Sequence, residues 1–146
     1  MARLKVLIAE DEPVSLRLME ASLTNWGYQA VSAQDGEQAR ALLQAGGIHV
    51  CILDWEMPKL SGIELCKWIR SATFSPAPYV IILSNHKDSR DIQIAYQAGA
   101  DTHLSKPFDR TVLHHRISAY AKSNVPGTQL PDAAAGTPRL STSDLR

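Results

Sequence analysis

Four short apolar runs, spaced so that a helix fits between them, each end on a polar or charged residue. Leu4-Lys5-Val6-Leu7-Ile8-Ala9 runs into Glu10-Asp11, and His49-Val50-Cys51-Ile52-Leu53 into Asp54. Tyr79-Val80-Ile81-Ile82-Leu83 runs into Ser84, and Thr102-His103-Leu104-Ser105 into Lys106-Pro107. Strand-length runs separated by helix-length segments imply parallel strands joined by crossovers. Such strands all finish at one edge of the sheet, and in open α/β sheets that edge binds ligands. One edge therefore gathers three carboxylates, a hydroxyl and an ammonium group. That inventory suits a divalent cation and a phosphoryl group.

Bulk properties narrow the partners. At 146 residues the chain has the size of one domain. Its 15 lysines and arginines balance its 15 acids, so no net field draws it to nucleic acid or to a membrane surface. The longest apolar runs are strand-sized, far short of the ~20 residues of a membrane span. The first residues lead straight into a strand and lack a signal-peptide pattern. Cys51 and Cys66 form no CxxC pair and read as two reduced core thiols, which suits a cytoplasmic protein.

The segments between the runs read as helices with recognisable ends. Pro13 opens the first helix, where its missing N–H goes unmissed; Leu16, Met19, Leu23 and Trp26 repeat at helical spacing, and Gly27 stops it. Tyr28 to Ala33 reads as a second strand, and Asp35-Gly36 turns into a second helix that ends at Gly46-Gly47. Ser61 with Glu64 three residues on makes a capping box for the third helix. Asp88 or Ser89 opens the fourth helix, and Asp109 caps the last one, which carries Leu113, Ile117 and Tyr120. The order is βα repeated five times, so a three-layer α/β sandwich is expected. From about Ser123 the composition turns to Pro, Gly, Ala, Ser and Thr without periodicity, as in a flexible tail or linker.

Asp54 closes an otherwise apolar strand, where a carboxylate held rigidly can attack phosphorus and form an aspartyl-phosphate. Taken singly, Asp54 reads as a cap or loop residue, Lys106 as a solvated lysine and Ser84 as a turn residue. Glu10-Asp11 could equally cap the Pro13 helix. Their joint placement at the ends of four strands overturns those readings. Three carboxylates on one edge repel unless a cation neutralises them, and oxygen-only ligands suit Mg²⁺ or Mn²⁺. Lys106 and Ser84 then serve phosphoryl oxygens, in a transfer that depends mostly on positioning and charge neutralisation.

With these residues in view, the chain resembles a receiver domain of two-component response regulators, CheY-like, over residues 4–121. The resemblance rests on the ordered set Leu7-Ile8-Ala9-Glu10-Asp11-Glu12-Pro13, Asp54-Trp55-Glu56-Met57-Pro58 with Ser61-Gly62, Ile81-Ile82-Leu83-Ser84, Ala98-Gly99-Ala100-Asp101 and Lys106-Pro107-Phe108. It implies a flavodoxin-like (βα)5 fold, a parallel five-stranded sheet in order 2-1-3-4-5, and a cis Lys106–Pro107 bond. Asp54 would be the phosphoacceptor, with Glu10, Asp11 and the backbone carbonyl of Glu56 joining it around Mg²⁺, or Mn²⁺ in its place. Ser84 and Lys106 would hold the phosphoryl group. The phosphoryl donor would be a histidine kinase or a histidine phosphotransfer domain. Phosphorylation would reorganise the face of the fourth helix, fifth strand and last helix, through which a homodimer or an output domain would pair. On this reading residues 1–122 form the receiver and 123–146 a tail or linker towards an output domain outside this chain. Such a receiver would catalyse only its own phosphorylation and dephosphorylation.

Three positions depart from the family pattern. Glu10 stands where many relatives have Asp, a common exchange compatible with metal binding. Asn85 follows Ser84 where Ala or Gly is usual; it would narrow access to the phosphoryl group or hydrogen-bond to it, so altered transfer and hydrolysis rates are expected. His103 holds the place of an aromatic switch residue. It either moves inward with Ser84, with a pH dependence that imidazole brings, or is an exposed strand-end residue without a switching role. A haloacid-dehalogenase-type phosphatase would need a second Asp where Glu56 stands. A receiver that signals without phosphate would not need Glu10, Asp11, Asp54, Ser84 and Lys106 together.

Overall fold

The computed structural model describes residues 3–124. Its elements follow the expected alternation: β1 (Lys5–Ala9), α1 (Pro13–Asn25), β2 (Gln29–Ala33), α2 (Gly36–Ala45), β3 (Val50–Asp54), α3 (Gly62–Ser71), β4 (Tyr79–Ser84), α4 (Ser89–Gln97), β5 (Thr102–Ser105) and α5 (Arg110–Asn124). The strands are parallel and ordered β2-β1-β3-β4-β5, the flavodoxin-like arrangement. β3 sits in the middle and every one of its residues is buried.

Alternation along the strands sorts the core into two faces. Leu7 and Ala9 of β1, Cys51 and Leu53 of β3, and Val80 and Ile82 of β4 share one cluster with Ala39 and Leu43 of α2, Ile63, Leu65, Cys66 and Ile69 of α3, Ala95 of α4 and Ala98 just after it. The residues between them, Val6, Ile8, Ile52 and Ile81, are equally buried and face the other way, where α1 lies on β1 and β2 with Leu16, Met19 and Leu23. Both cysteines are buried and unpaired, and burial pushes the Cys66 thiol up to about 11 and raises Cys51 further. They are inert core groups.

Helix ends form largely as their residues dictate. Ser61 and Glu64 close the capping box reciprocally, at 3.1 and 2.9 Å. Asp35 caps α2 and Asp88 caps α4. At α1 the capping oxygen comes from Glu12, which accepts from the Ser15 N–H at 2.8 Å. Neither Glu10 nor Asp11 is needed for that task, so both remain available at the sheet edge.

The chain divides after Phe108 into two units. In the second, the Asp109 side chain accepts from the Thr111 N–H at 2.8 Å, as a start to α5, and Leu113 and Ile117 are its buried positions. The helix continues to Asn124, two residues past the expected receiver boundary at 122. The rest of the tail expected over 123–146 lies outside the described residues.

At the edge remote from Glu10 and Asp54, Arg70 of α3 joins three segments. Its guanidinium donates to Gly99 O at 2.9 Å, Pro78 O at 2.8 Å and Asp101 Oδ2 at 2.7 Å, and the same Asp101 oxygen accepts from the Val80 N–H at 2.8 Å. Asp101→Ala leaves the Val80 N–H without its acceptor and is expected to destabilise the fold by about 1–3 kcal/mol. Asp101→Asn, which keeps an acceptor, should cost less. Urea unfolding of the two variants against wild type checks the order.

Candidate functional site: an acidic cleft with one lysine

Strand register builds the site. Ala9 pairs with Leu53, so Glu10, the next residue out, stands opposite Asp54, the last residue of β3. This is where the strand order reverses, with β2 on one side of β1 and β3 on the other, the switch point at which α/β sheets open a crevice. Glu10 and Asp54 are both buried, 6 and 7% exposed, while Asp11 on the following bend is open to solvent. Carboxylate oxygens of all three lie within 4.8 Å of one another. Asp11 and Glu56 line a cavity of about 400 Å³ together with Trp55, Met57, Pro58 and Ser61.

Lys106 reaches this cluster from the end of β5. Its N–H donates to Ser84 O at 2.7 Å, the Lys106–Pro107 bond is cis as expected, and its Nζ lies 3.0 Å from Asp54 Oδ1 and 3.7 Å from Glu10 Oε1. Burial alone would pull the lysine pKa down. The hydrogen bond and charge of Asp54, with the charge of Glu10, outweigh it and hold the ammonium above its ordinary value. Glu10 shows the opposite strain. Burial and the charge of Asp54 push its carboxyl up to about 7, against the pull of Lys106 and of the Glu12 N–H that donates to it at 3.2 Å. One ammonium does not neutralise this many carboxylates. A divalent cation would, and the all-oxygen donor set fits Mg²⁺.

Ser84 is buried at the end of β4 and its Oγ accepts from the His86 N–H at 2.7 Å. The hydroxyl proton is thereby left to donate elsewhere. Asn85 is exposed. His103 is half-buried, edge-on to Trp55 with ring centroids 6.5 Å apart, and its Nε2 is shut away from solvent without a hydrogen-bond partner. It is therefore not the fully exposed strand-end residue of the simpler expectation.

No sequence motif marks His86, yet it contacts Trp55 and Glu56 of the cleft wall. Its ring stacks on Trp55 at 4.4 Å, its Nε2 pairs with Glu56 Oε2 at 2.5 Å, and its Nδ1 lies 3.4 Å from Asp91 Oδ2. It thus ties the β4–α4 loop to the β3–α3 loop. No local pattern signals this, because the partners come from two loops 30 residues apart.

This fold and cleft agree with what comparison finds. Residues 6–118 match the family model described as the response regulator receiver domain. The transcriptional regulatory protein KdpE of Mycobacterium tuberculosis is 37% identical over 128 residues, which are 86% of this chain and 54% of KdpE. Among solved structures, the receiver domain of the sensor histidine kinase PA1611 from Pseudomonas aeruginosa, with magnesium coordinated in its active site cleft, superposes with a TM-score of 0.74 at 28% identity. That match covers 82% of this chain and 98% of the other. The receiver domain of the Saccharomyces cerevisiae response regulator Ssk1, crystallised with the histidine phosphotransfer protein Ypd1, gives 0.75 at 26% identity, over 86 and 94% of the two chains.

The chain belongs to the response regulator receiver domain family. It is a signalling domain of two-component systems, and it spans about half the length of the curated relatives it matches.

The two imidazoles should titrate apart. The hydrogen bond to Glu56, reinforced by Asp91, raises His86, whereas burial lowers His103. In an NMR titration His86 is expected to deprotonate above the ordinary imidazole value of about 6.5 and His103 below it. The His86 clasp is then tight below its raised value and loosens as pH rises through it. The reverse order of midpoints would contradict both placements.

Proposed function

We propose that Asp54 is the phosphoacceptor of this receiver and that Glu10, Asp11, Asp54 and the backbone carbonyl of Glu56 hold Mg²⁺, with Mn²⁺ an alternative of similar chemistry. The observation that carries the reading is the pairing of Lys106 Nζ with Asp54 Oδ1 at 3.0 Å inside a cluster of three carboxylates. An aspartate so placed ends a buried strand, pairs with an ammonium and neighbours an open cleft lined by Asp11 and Glu56.

Asp54 attacks the phosphorus of a phosphohistidine on a kinase or phosphotransfer domain. The oxygen–phosphorus bond forms as the nitrogen–phosphorus bond breaks, and the imidazole leaves with the electron pair. A cation held by Glu10, Asp11, Asp54 and the Glu56 carbonyl would supply positive charge against that of the incoming phosphoryl group. Lys106 serves one phosphoryl oxygen from beside Asp54, and the Ser84 hydroxyl serves another. The crystallised pair of Ssk1 and Ypd1 supports a phosphotransfer domain as donor. Hydrolysis of the acyl phosphate returns the domain to its starting state, so the chemistry is confined to the receiver itself.

New contacts at Ser84 and Lys106 are the only means by which phosphate can bias two conformations. Ser84 is bonded to the β4–α4 loop through His86, and Lys106 follows β5. The response is accordingly carried by the β4–α4 loop, α4 and β5. The relatives named as transcriptional regulators support an output domain in the same polypeptide, reached through residues 123–146.

Two outcomes check this. Asp54→Asn should abolish acid-labile incorporation from acetyl phosphate, and label persisting on another aspartate would refute the assignment. Asp11 lines the cavity, whereas buried Glu10 is partly engaged by Lys106 and the Glu12 N–H. In Mg²⁺ titrations read by Trp55 fluorescence, Asp11→Ala should weaken binding about tenfold, roughly 1.4 kcal/mol, and Glu10→Ala less.

A further inference from the structure

The β3–α3 loop, residues 55–61, supplies Glu56 and most of the cavity wall. Its base is closed by α3. The Gly62 N–H donates to Trp55 O at 2.8 Å, and a Cβ at Gly62 would collide with the Asp54 carbonyl. Its tip leans on a different element, the N-terminus of α2. There the Gly36 N–H donates to Pro58 O at 3.4 Å, and a Cβ at Gly36 would fall inside van der Waals contact with Leu60 O and Cβ. Gly36 is therefore fixed by close approach of two backbones rather than by any need for positive φ, since its φ is not in that region.

Asp35 adds a second tie. It is buried, and its carboxylate works in two directions: Oδ1 accepts from the Gln38 N–H at 2.8 Å to cap α2, and Oδ2 lies 3.6 Å from Lys59 Nζ. The hydrogen bond to Gln38 chiefly, with the Lys59 charge, holds its carboxyl below the usual range. Lys59 itself has φ +73°, the only non-glycine residue with positive φ among the described residues. A left-handed lysine persists only where its surroundings over-determine the backbone. Pro58 O accepts from Leu60 N at 2.7 Å as well as from Gly36, so the strained tip and the start of α2 share one acceptor.

We infer that Asp35 and Gly36 at the start of α2 are positioning residues for the cation. They set the β3–α3 loop, and with it Glu56, at the distance from Asp11 and Asp54 that binding requires. Neither touches the cation or the phosphoryl group. The inference rests on the metal reading above and goes beyond it, since it assigns cation affinity partly to an element that contributes no ligand.

The test uses the full chain. Mg²⁺ is titrated without phosphodonor and read by Trp55 fluorescence, with far-UV circular dichroism as the check on folding. Gly36→Ala, which must push Leu60 outward, is expected to raise the Mg²⁺ Kd about tenfold, in the range seen when supports of a metal site are removed. At saturating Mg²⁺ its labelling by acetyl phosphate should return to about the wild-type rate, because Asp54, Lys106 and Ser84 are undisturbed. A residue needed only for stability would lower the melting temperature and leave the Kd unchanged. Lys59→Gly tests the same idea without a steric insertion, in a half-exposed side chain outside the core. It relaxes the tip and removes the ion pair, and an increase in Kd of about threefold is expected, in keeping with an exposed ion pair. If Gly36→Ala does not fold, Lys59→Gly decides. Wild-type affinity in every folded variant overturns the inference. Absence of Mg²⁺ quenching in the wild type, with Asp54 labelled in its absence, would sink the metal reading instead.

Discussion

Two buried carboxylates, Glu10 and Asp54, face each other across the boundary of β1 and β3, and the ammonium of Lys106 is what allows them to stay there. Much else in the structure follows from holding those three groups together. Asp54 has to end a strand with no exposed residue, so that its backbone cannot drift. Lys106 has to arrive from the far side of β4, which requires the crossover through α4 to bring β5 alongside. The arrangement is left charge-frustrated, with Glu10 held up at about 7 by burial and by Asp54. A site that is under-neutralised as built is stabilised by added positive charge.

The loops around this cluster are tied by unlike means. The β3–α3 loop is braced by backbone close approaches at Gly36 and Gly62, which leave little freedom. The β4–α4 loop is tied by side chains: the His86 N–H to Ser84, and the His86 ring to Glu56, Asp91 and Trp55. Hydrogen bonds and a stacked ring at a partly exposed position exchange far more readily than packed backbone. The opposite edge is fixed again, by the three-way grip of Arg70. The sheet thus combines a rigid wall at the β3–α3 loop, an anchored lower edge and an adjustable loop beyond Ser84. On the proposed function, a domain that holds a cation steadily and moves in response to a phosphoryl group would use this division.

Sequence pattern alone carried the strands, their parallel sense, the capping box at Ser61 and Glu64, the start of α4 at Asp88 or Ser89, and the gathering of Glu10, Asp11, Asp54 and Lys106 at one sheet edge. These are legible because they depend on local rules: apolar runs of strand length, side chains that bond their own backbone, and the geometric fact that parallel strands end together. The ordered motifs of the family were enough to expect the strand order and the cis bond before Pro107. The helix cap at Glu12 was the one local detail that went to a neighbouring residue, since Glu10, Asp11 and Glu12 all offer a carboxylate and only backbone geometry selects one.

What tertiary structure alone decided is which distant groups meet. The pairing of His86 with Glu56, the four-bond use of Arg70 and Asp101, the contact of Gly36 with Leu60, and the half-buried His103 all join residues with no shared periodicity or spacing. A sequence specifies each strand and cap through neighbours a few residues away. The relative placement of loops is set by how whole elements pack, and no single segment contains that information. The residues of the acidic cluster and its lysine were therefore readable in the chain, and the residues that hold them in place became visible only once the sheet was assembled.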